Sequence, residues 1–253
     1  MGLFEMRVSE VKAEKVIRRL GFNHWIRVEA TGYAGGIWVL WNEEEVSVEY
    51  LYSNTQLIHC KLTNVSSGEV MFSTFVYGDT TIGRRRTLWE SLKRITESID
   101  GAWIVLGDFN AFLEPKDKLG GAPLVRQMME SFQSCLNHCE LMEIPIVGDR
   151  FTWEKEGVRE RLDWAFCNFD WELTHPHFKN YHQLRFNSDH RVLVLSGVKN
   201  GSSLNLKKSF RYQAAWCLEP DFKELVKPTW EEEIGVKVDF LSKKRFLSGM
   251  RKW

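Results

Sequence analysis

The spacing of apolar positions changes several times along the chain, and each change marks an element. Val8, Val11, Val16, Ile17 and Leu20 fall near helical spacing with charges between them, and Gly21 follows as a stop. Residues 8–20 therefore read as an amphipathic helix. Four β-like runs come next: IWVLW (37–41), VSVEYLY (46–52), QLIHCKL (56–62) and VMFSTFVY (70–77). They are short, rich in β-branched and aromatic residues, and separated by turn formers such as Asn54 and Ser66-Ser67-Gly68, which predicts meander-like antiparallel pairing. Leu88, Leu92, Ile95 and Ile99 return to helical spacing over 84–99. WIVLG (103–107) is a wholly apolar strand that ends directly before Asp108. A helix over 124–140 and a turn region over 145–150 follow, then strands at 151–154, 161–166 and 191–198. Strands and helices interleave without a strict βαβ rhythm or an internal repeat, so the expected class is a mixed α/β sandwich. Past Val198 the texture changes to a polar linker, KNGSSLNLKK, then an amphipathic helix interrupted at Pro228 and a basic end. The expected division is a domain over 1–198 and a linker with a partly helical tail over 199–253.

Composition narrows the partners. The 253 residues are 43% hydrophobic and 27% charged, which excludes collagen-like and low-complexity architectures and is ample for a sizeable core. Net charge is zero. Residues 199–253 nevertheless hold twelve Lys/Arg against seven Asp/Glu, so the tail is basic and the body acidic by five charges each. Composition alone thus does not nominate a polyanion partner. The N-terminus turns charged within five residues, and no apolar run approaches the ~18–20 residues of a bilayer span; the expectation is an intracellular protein without signal peptide or membrane segment. Five scattered cysteines do not form a disulfide framework. Cys135, His138 and Cys139 lack knuckle spacing and read as part of a helix with buried thiols.

Candidate chemistry gathers at strand ends. GDFN (107–110) puts Asp108 and Asn110 on one side of an extended backbone just after the apolar strand. RLD (161–163) ends in Asp163, NSDHR (187–191) offers Ser188, Asp189 and His190 before another strand, and VYG (76–78) ends a strand on Tyr77. Taken singly, each is a common turn or surface motif, because Asp and Asn side chains bond local backbone. As a set, oxygen and imidazole groups suit a hard divalent ion with general-base catalysis, and no P-loop or GxSxG elbow competes with them.

The ordered series Glu5, VYG, GDFN, RLD, SDH resembles the endonuclease/exonuclease/phosphatase superfamily, the fold of abasic-site endonucleases and DNase-I-like nucleases. NHWIRVEATGYAGGIWVLWN (23–42), IDGAWIVLGDFNAFLEPKDKLGG (99–121) and RERLDWAFCN (159–168) look more narrowly like the endonuclease domain of plant LINE-type (non-LTR) retrotransposons. The resemblance covers about 1–198 and implies a four-layer α/β sandwich of two mixed, mainly antiparallel sheets flanked by helices. It also implies a Mg²⁺ cofactor, with Mn²⁺ as substitute, and DNA as substrate. Glu5 matches the family's metal-binding Glu, Tyr77 the Tyr on the scissile phosphate, and Asp108 the group that holds and deprotonates the attacking water. Asn110 would position the phosphate or the leaving group, and Thr152 would contact phosphate. Asp163 and Asp189 would orient His190 or support the metal, His190 would contact phosphate, and Ser188 completes the motif. Trp153, Trp164 and Arg84–Arg86 are candidate duplex contacts. The tail looks like the connector that leads to a reverse transcriptase, no part of which is in this chain, and nuclear work would suit the family.

The family's usual first strand, a Trp-Asn-Cys-Arg-Gly-like segment, has no counterpart here. The expectation is therefore an N-terminally truncated domain that lacks one core strand and a supporting ligand, with impaired activity. A phosphatase of the same superfamily and a non-catalytic remnant that binds nucleic acid or protein stay open as alternatives.

Overall fold

In the computed structural model, described for residues 1–6, 10–31, 34–185 and 188–197, the elements stack in four layers. The central layer is a six-stranded sheet in the order β4 (Val46–Asn54), β5 (Leu57–Asn64), β6 (Val70–Tyr77), β7 (Trp103–Asp108), β13 (Asp163–Cys167), β9 (Met142–Glu143). β4, β5 and β6 form the expected antiparallel meander. β6 and β7 instead run parallel, because helix α2 (Ile82–Thr96) returns the chain between them.

α2 and α3 (Arg126–His138) cover one face of this sheet. Leu88, Leu92 and Phe132 pack there against Val76, Val105 and Phe166, and the Phe109, Phe132 and Phe166 rings interlock at 5.2–5.9 Å between centroids. Cys135 of α3 and Cys139 at its C-terminal cap are buried thiols, and Trp164 belongs to the same core, 1% exposed with its indole N–H given to the Ala111 carbonyl. A duplex contact by Trp164 is thereby ruled out: the ring faces inward from a strand buried on both sides.

The other face carries the third layer, divided into two three-stranded pieces. One is β1 (Gly2–Phe4), β3 (Ala34–Trp41), β2 (His24–Thr31), in that order; the other is β10 (Ile146–Val147), β14 (Phe178–His182), β15 (Leu193–Gly197). β3 is apolar in both directions. Ile37 and Val39 meet Ile58, Cys60 and Phe75 of the central sheet, while Trp38 and Leu40 meet Ala13 and Ile17 of helix α1 (Glu10–Arg19), the fourth layer. A small sheet of β11 (Trp153–Lys155), β12 (Val158–Glu160) and β8 (Lys118–Leu119) closes one end, and the short helix α4 (Phe169–Thr174) packs Trp171 beneath β14.

The four-layer sandwich matches the expected class. Of the strands longer than three residues, two escape the hydrophobic pattern. In β2, Arg27 and Glu29 alternate with Ile26 and Val28, and in β14 Lys179 and Asn180 dilute a five-residue run. The 145–150 turn region holds β10, whose pairing with β14 is parallel. The division at 198 and the tail over 199–253 lie outside the described residues. Among the described residues no helix is long and apolar enough to cross a membrane.

Candidate active site

Three neighbouring strands set the site. Tyr77 on β6 is register partner to Asp108 on β7, and Asp108 is register partner to Asp163 on β13. Directly opposed residues on paired strands point to the same face, so the phenol and both carboxylates stand in one row at the strand ends. All three are buried, at 5%, 4% and 6% exposure. Just before Asp108, Gly107 lets β7 lie close against β6. Its φ is 139°, and a Cβ there would sit 2.1 Å from the Val76 carbonyl oxygen.

Residues 189–191 run beside 152–154. The Glu154 N–H bonds the Asp189 carbonyl, Arg191 N–H bonds the Thr152 carbonyl, and Trp153 and His190 form a bridge pair. This brings His190 over the row. Its Nδ1 lies 2.8 Å from Asp163 Oδ2 and its Nε2 3.9 Å from Asp108 Oδ2. Of the two aspartates expected to orient the imidazole, Asp163 makes the hydrogen bond, whereas Asp189 is exposed and contributes only its charge nearby. Ser188 Oγ accepts from the His190 N–H, which shapes the turn.

Asn110, at φ 48°, folds back on the strand end. Its N–H bonds Asp108 Oδ1 at 2.9 Å, and its amide donates to the Gly78 carbonyl at 2.9 Å and to Asp108 Oδ2 at 3.2 Å. Asn110 thus locks the nucleus of the GDFN turn to the loop after Tyr77. Gly78 is needed at that contact, since a Cβ would come within 2.3 Å of the Phe109 oxygen. At the open side Glu5, itself exposed, accepts the Tyr77 hydroxyl at 2.6 Å, a contact that joins positions 72 residues apart.

Thr152 stands where a phosphate contact is expected, and its placement argues otherwise. It is fully buried, and its Oγ1 accepts from the N–H groups of Leu162 and Asp163, both at 3.0 Å. It ties the His190 segment to the Asp163 strand and does not reach the cleft. Thr152→Val keeps the shape and orphans two buried donors, so it should cost on the order of 2 kcal/mol in urea unfolding. Of the arginine run, Arg85 is buried at 4% and donates to the carbonyls of Asp79 and Thr80, bracing the loop after Tyr77, while Arg84 and Arg86 are exposed. Trp153 is half-buried on the hairpin beside His190. Sequence reasoning missed this bracing role of Arg85; the contrast with its exposed neighbours is visible only in the helix's rotation against the sheet.

The electrostatics follow from burial and neighbours. Burial pushes the Asp108 carboxyl well above the usual carboxylate range, and Asp163 beside it pushes the same way. For His190, burial lowers the pKa, but the hydrogen bond and charge of Asp163, with Asp108 and Asp189 adding, outweigh it and raise the value to about 9. The imidazole is therefore a cation at neutral pH, hydrogen-bonded through Nδ1 to Asp163. Burial and the Glu5 bond raise Tyr77, which stays a phenol.

Asp108, Asp163 and His190 offer ligand atoms that all lie within 4.8 Å of one another. Two buried, adjacent carboxyl groups form a hard-oxygen pair that a divalent cation would neutralise, and Glu5 stands beside Tyr77 on the open side, so the residues fit such an ion. A model of the endonuclease/exonuclease/phosphatase family matches residues 1–190. The chain belongs to the endonuclease/exonuclease/phosphatase family. This is a family of metal-dependent phosphodiesterases, phosphatases and nucleases.

Among solved structures, the endonuclease domain of TRAS1, a telomere-specific non-LTR retrotransposon, is similar at 17% identity. The match covers 68% of this chain and 76% of that one, with a TM-score of 0.51. The human Nocturnin catalytic domain with bound sulfate is similar at 19% identity over 78% and 80% of the two chains, TM-score 0.48. Zebrafish TDP2 complexed with single-strand DNA product stands at 13%, 75% and 80%, TM-score 0.47. At 17% identity the likeness to the TRAS1 domain describes the fold alone. No curated protein matches the chain.

Proposed function

We propose that this chain is a Mg²⁺-dependent phosphodiester hydrolase that nicks DNA, an endonuclease domain of LINE-type retrotransposon descent working at a reduced rate. The observation that carries the reading is the row of Tyr77, Asp108 and Asp163 with His190 bonded across it. The fold likeness to the TRAS1 endonuclease domain supports the substrate class.

Asp108 Oδ2 is the proton acceptor for the attacking water. Its raised pKa makes it a better base than an exposed carboxylate, and Asn110 keeps it aimed by holding Oδ1. His190, protonated and fixed by Asp163, presents Nε2–H to a phosphate oxygen and stabilises the charge that gathers there. Tyr77, steadied by Glu5, adds a hydroxyl on the same side. Asp108 and Asp163, with Glu5 on the open side, would hold the ion, and the charge of Asp189 would support it. When bound, the ion supplies positive charge to the reacting phosphate and lowers the pKa of the water.

The place of Glu5 supports the reduced rate, since it lies directly after β1, an edge strand of its three-stranded sheet. The test compares supercoiled plasmid with small phosphomonoesters in Mg²⁺. Relaxed plasmid without phosphate release is expected; phosphate release without nicking would replace this reading with a phosphatase.

A further inference from the structure

A second concave site lies on the opposite side of the central sheet. A cavity of about 520 Å³ opens between the C-terminal half of α2 and the outer strands β4, β5 and β6. That volume is within the range of small-ligand sites. It is distinct from the carboxylate row. Phe72, which lines it, precedes Tyr77 by five residues, roughly 16 Å along the strand. It also faces α2, whereas Tyr77 faces β3.

The lining has two characters. Its floor is aromatic: the His59 and Phe72 rings lie nearly parallel, 6.0 Å apart with 13° between planes, and Tyr52 stands 42% exposed at the edge. Its walls carry two cations, Lys61 on β5 and Arg94 on α2, and one carboxylate, Glu49 on β4. Glu49 approaches Lys61 only at 4.0 Å, and among the described residues Arg94 has no acid within ion-pair reach. His59 is 4% exposed, bonded to Thr74 Oγ1, and burial lowers its pKa to about 4, so it adds polarity without charge.

We propose that this cavity binds a small ligand that joins a planar ring to an anionic group, of which a mononucleotide is the type. The ring would lie against Phe72, His59 and Tyr52, and the anion would bridge Lys61 and Arg94.

The test is calorimetric titration of the full chain in EDTA with adenosine monophosphate, adenosine and inorganic phosphate separately. Arg94→Gln and Tyr52→Ala are the probes, since both residues are exposed, and circular dichroism checks their folding. Saturable binding of the monophosphate tighter than ~1 mM is expected, at least about tenfold weaker in each variant and for each half-ligand, and unchanged in His190→Gln. No saturation overturns the proposal, as does binding indifferent to both variants. Binding lost in His190→Gln also overturns it, because the nucleotide would then sit in the carboxylate site.

Discussion

Asp108→Asn should abolish plasmid nicking and at the same time stabilise the metal-free protein. The activity loss expected for removing a general base is about 10²–10⁴-fold. The stability gain follows from the sign of the pKa shift. The folded-state value of Asp108 lies above its unfolded value, so its contribution is fully present below the unfolded pKa near 3.9 and is lost as pH rises through the folded value. At pH 8 the burial of this 4% exposed carboxyl beside Asp163, which disfavours its charged form, is a cost that asparagine removes. The variant in EDTA should therefore melt a few degrees higher at pH 8, on the order of 1 kcal/mol, with the gain shrinking toward pH 4. A variant that is both inactive and less stable at pH 8 would mean that Asp108 is a structural residue whose bonds to Asn110 outweigh its charge.

His190→Gln should remove both activity and a pH dependence. The folded pKa of about 9 lies above the unfolded 6.5, so the imidazolium pair with Asp163 stabilises fully below pH 6.5 and its contribution disappears as pH rises through 9. The shift corresponds to roughly 3 kcal/mol for a side chain 22% exposed. Urea unfolding of the wild-type chain in EDTA should lose that much between pH 6.5 and 9.5, and the variant should show a much flatter profile. Nicking should fall by about 10²-fold or more, as for a lost transition-state donor. An unchanged stability slope in the variant would place the titration elsewhere.

How far the molecule was legible differs from element to element. The strand over 103–108 was plain because it is central and buried on both faces, so its run is apolar throughout and ends on the functional residue. β2 was hidden because its outer face carries Arg27 and Glu29, which break an apolar run without breaking the alternation. The residues of the site were legible as types at strand ends, but their division of labour was not. Sequence offers Asp163 and Asp189 equally to His190; register across β7 and β13 gives the hydrogen bond to Asp163. Thr152 likewise sits in a motif that suggests phosphate contact, and only its burial shows a hydroxyl spent on two backbone donors. The Glu5–Tyr77 contact spans 72 positions, and no local pattern encodes it.

The most direct test of the account is incubation of the purified chain with supercoiled plasmid and Mg²⁺, beside Asp108→Ala, His190→Ala and an EDTA control. Slow accumulation of nicked circles by the wild-type chain, and none in the three controls, is expected. A folded wild-type chain that leaves the plasmid supercoiled, or nicking that persists in either variant, would contradict it.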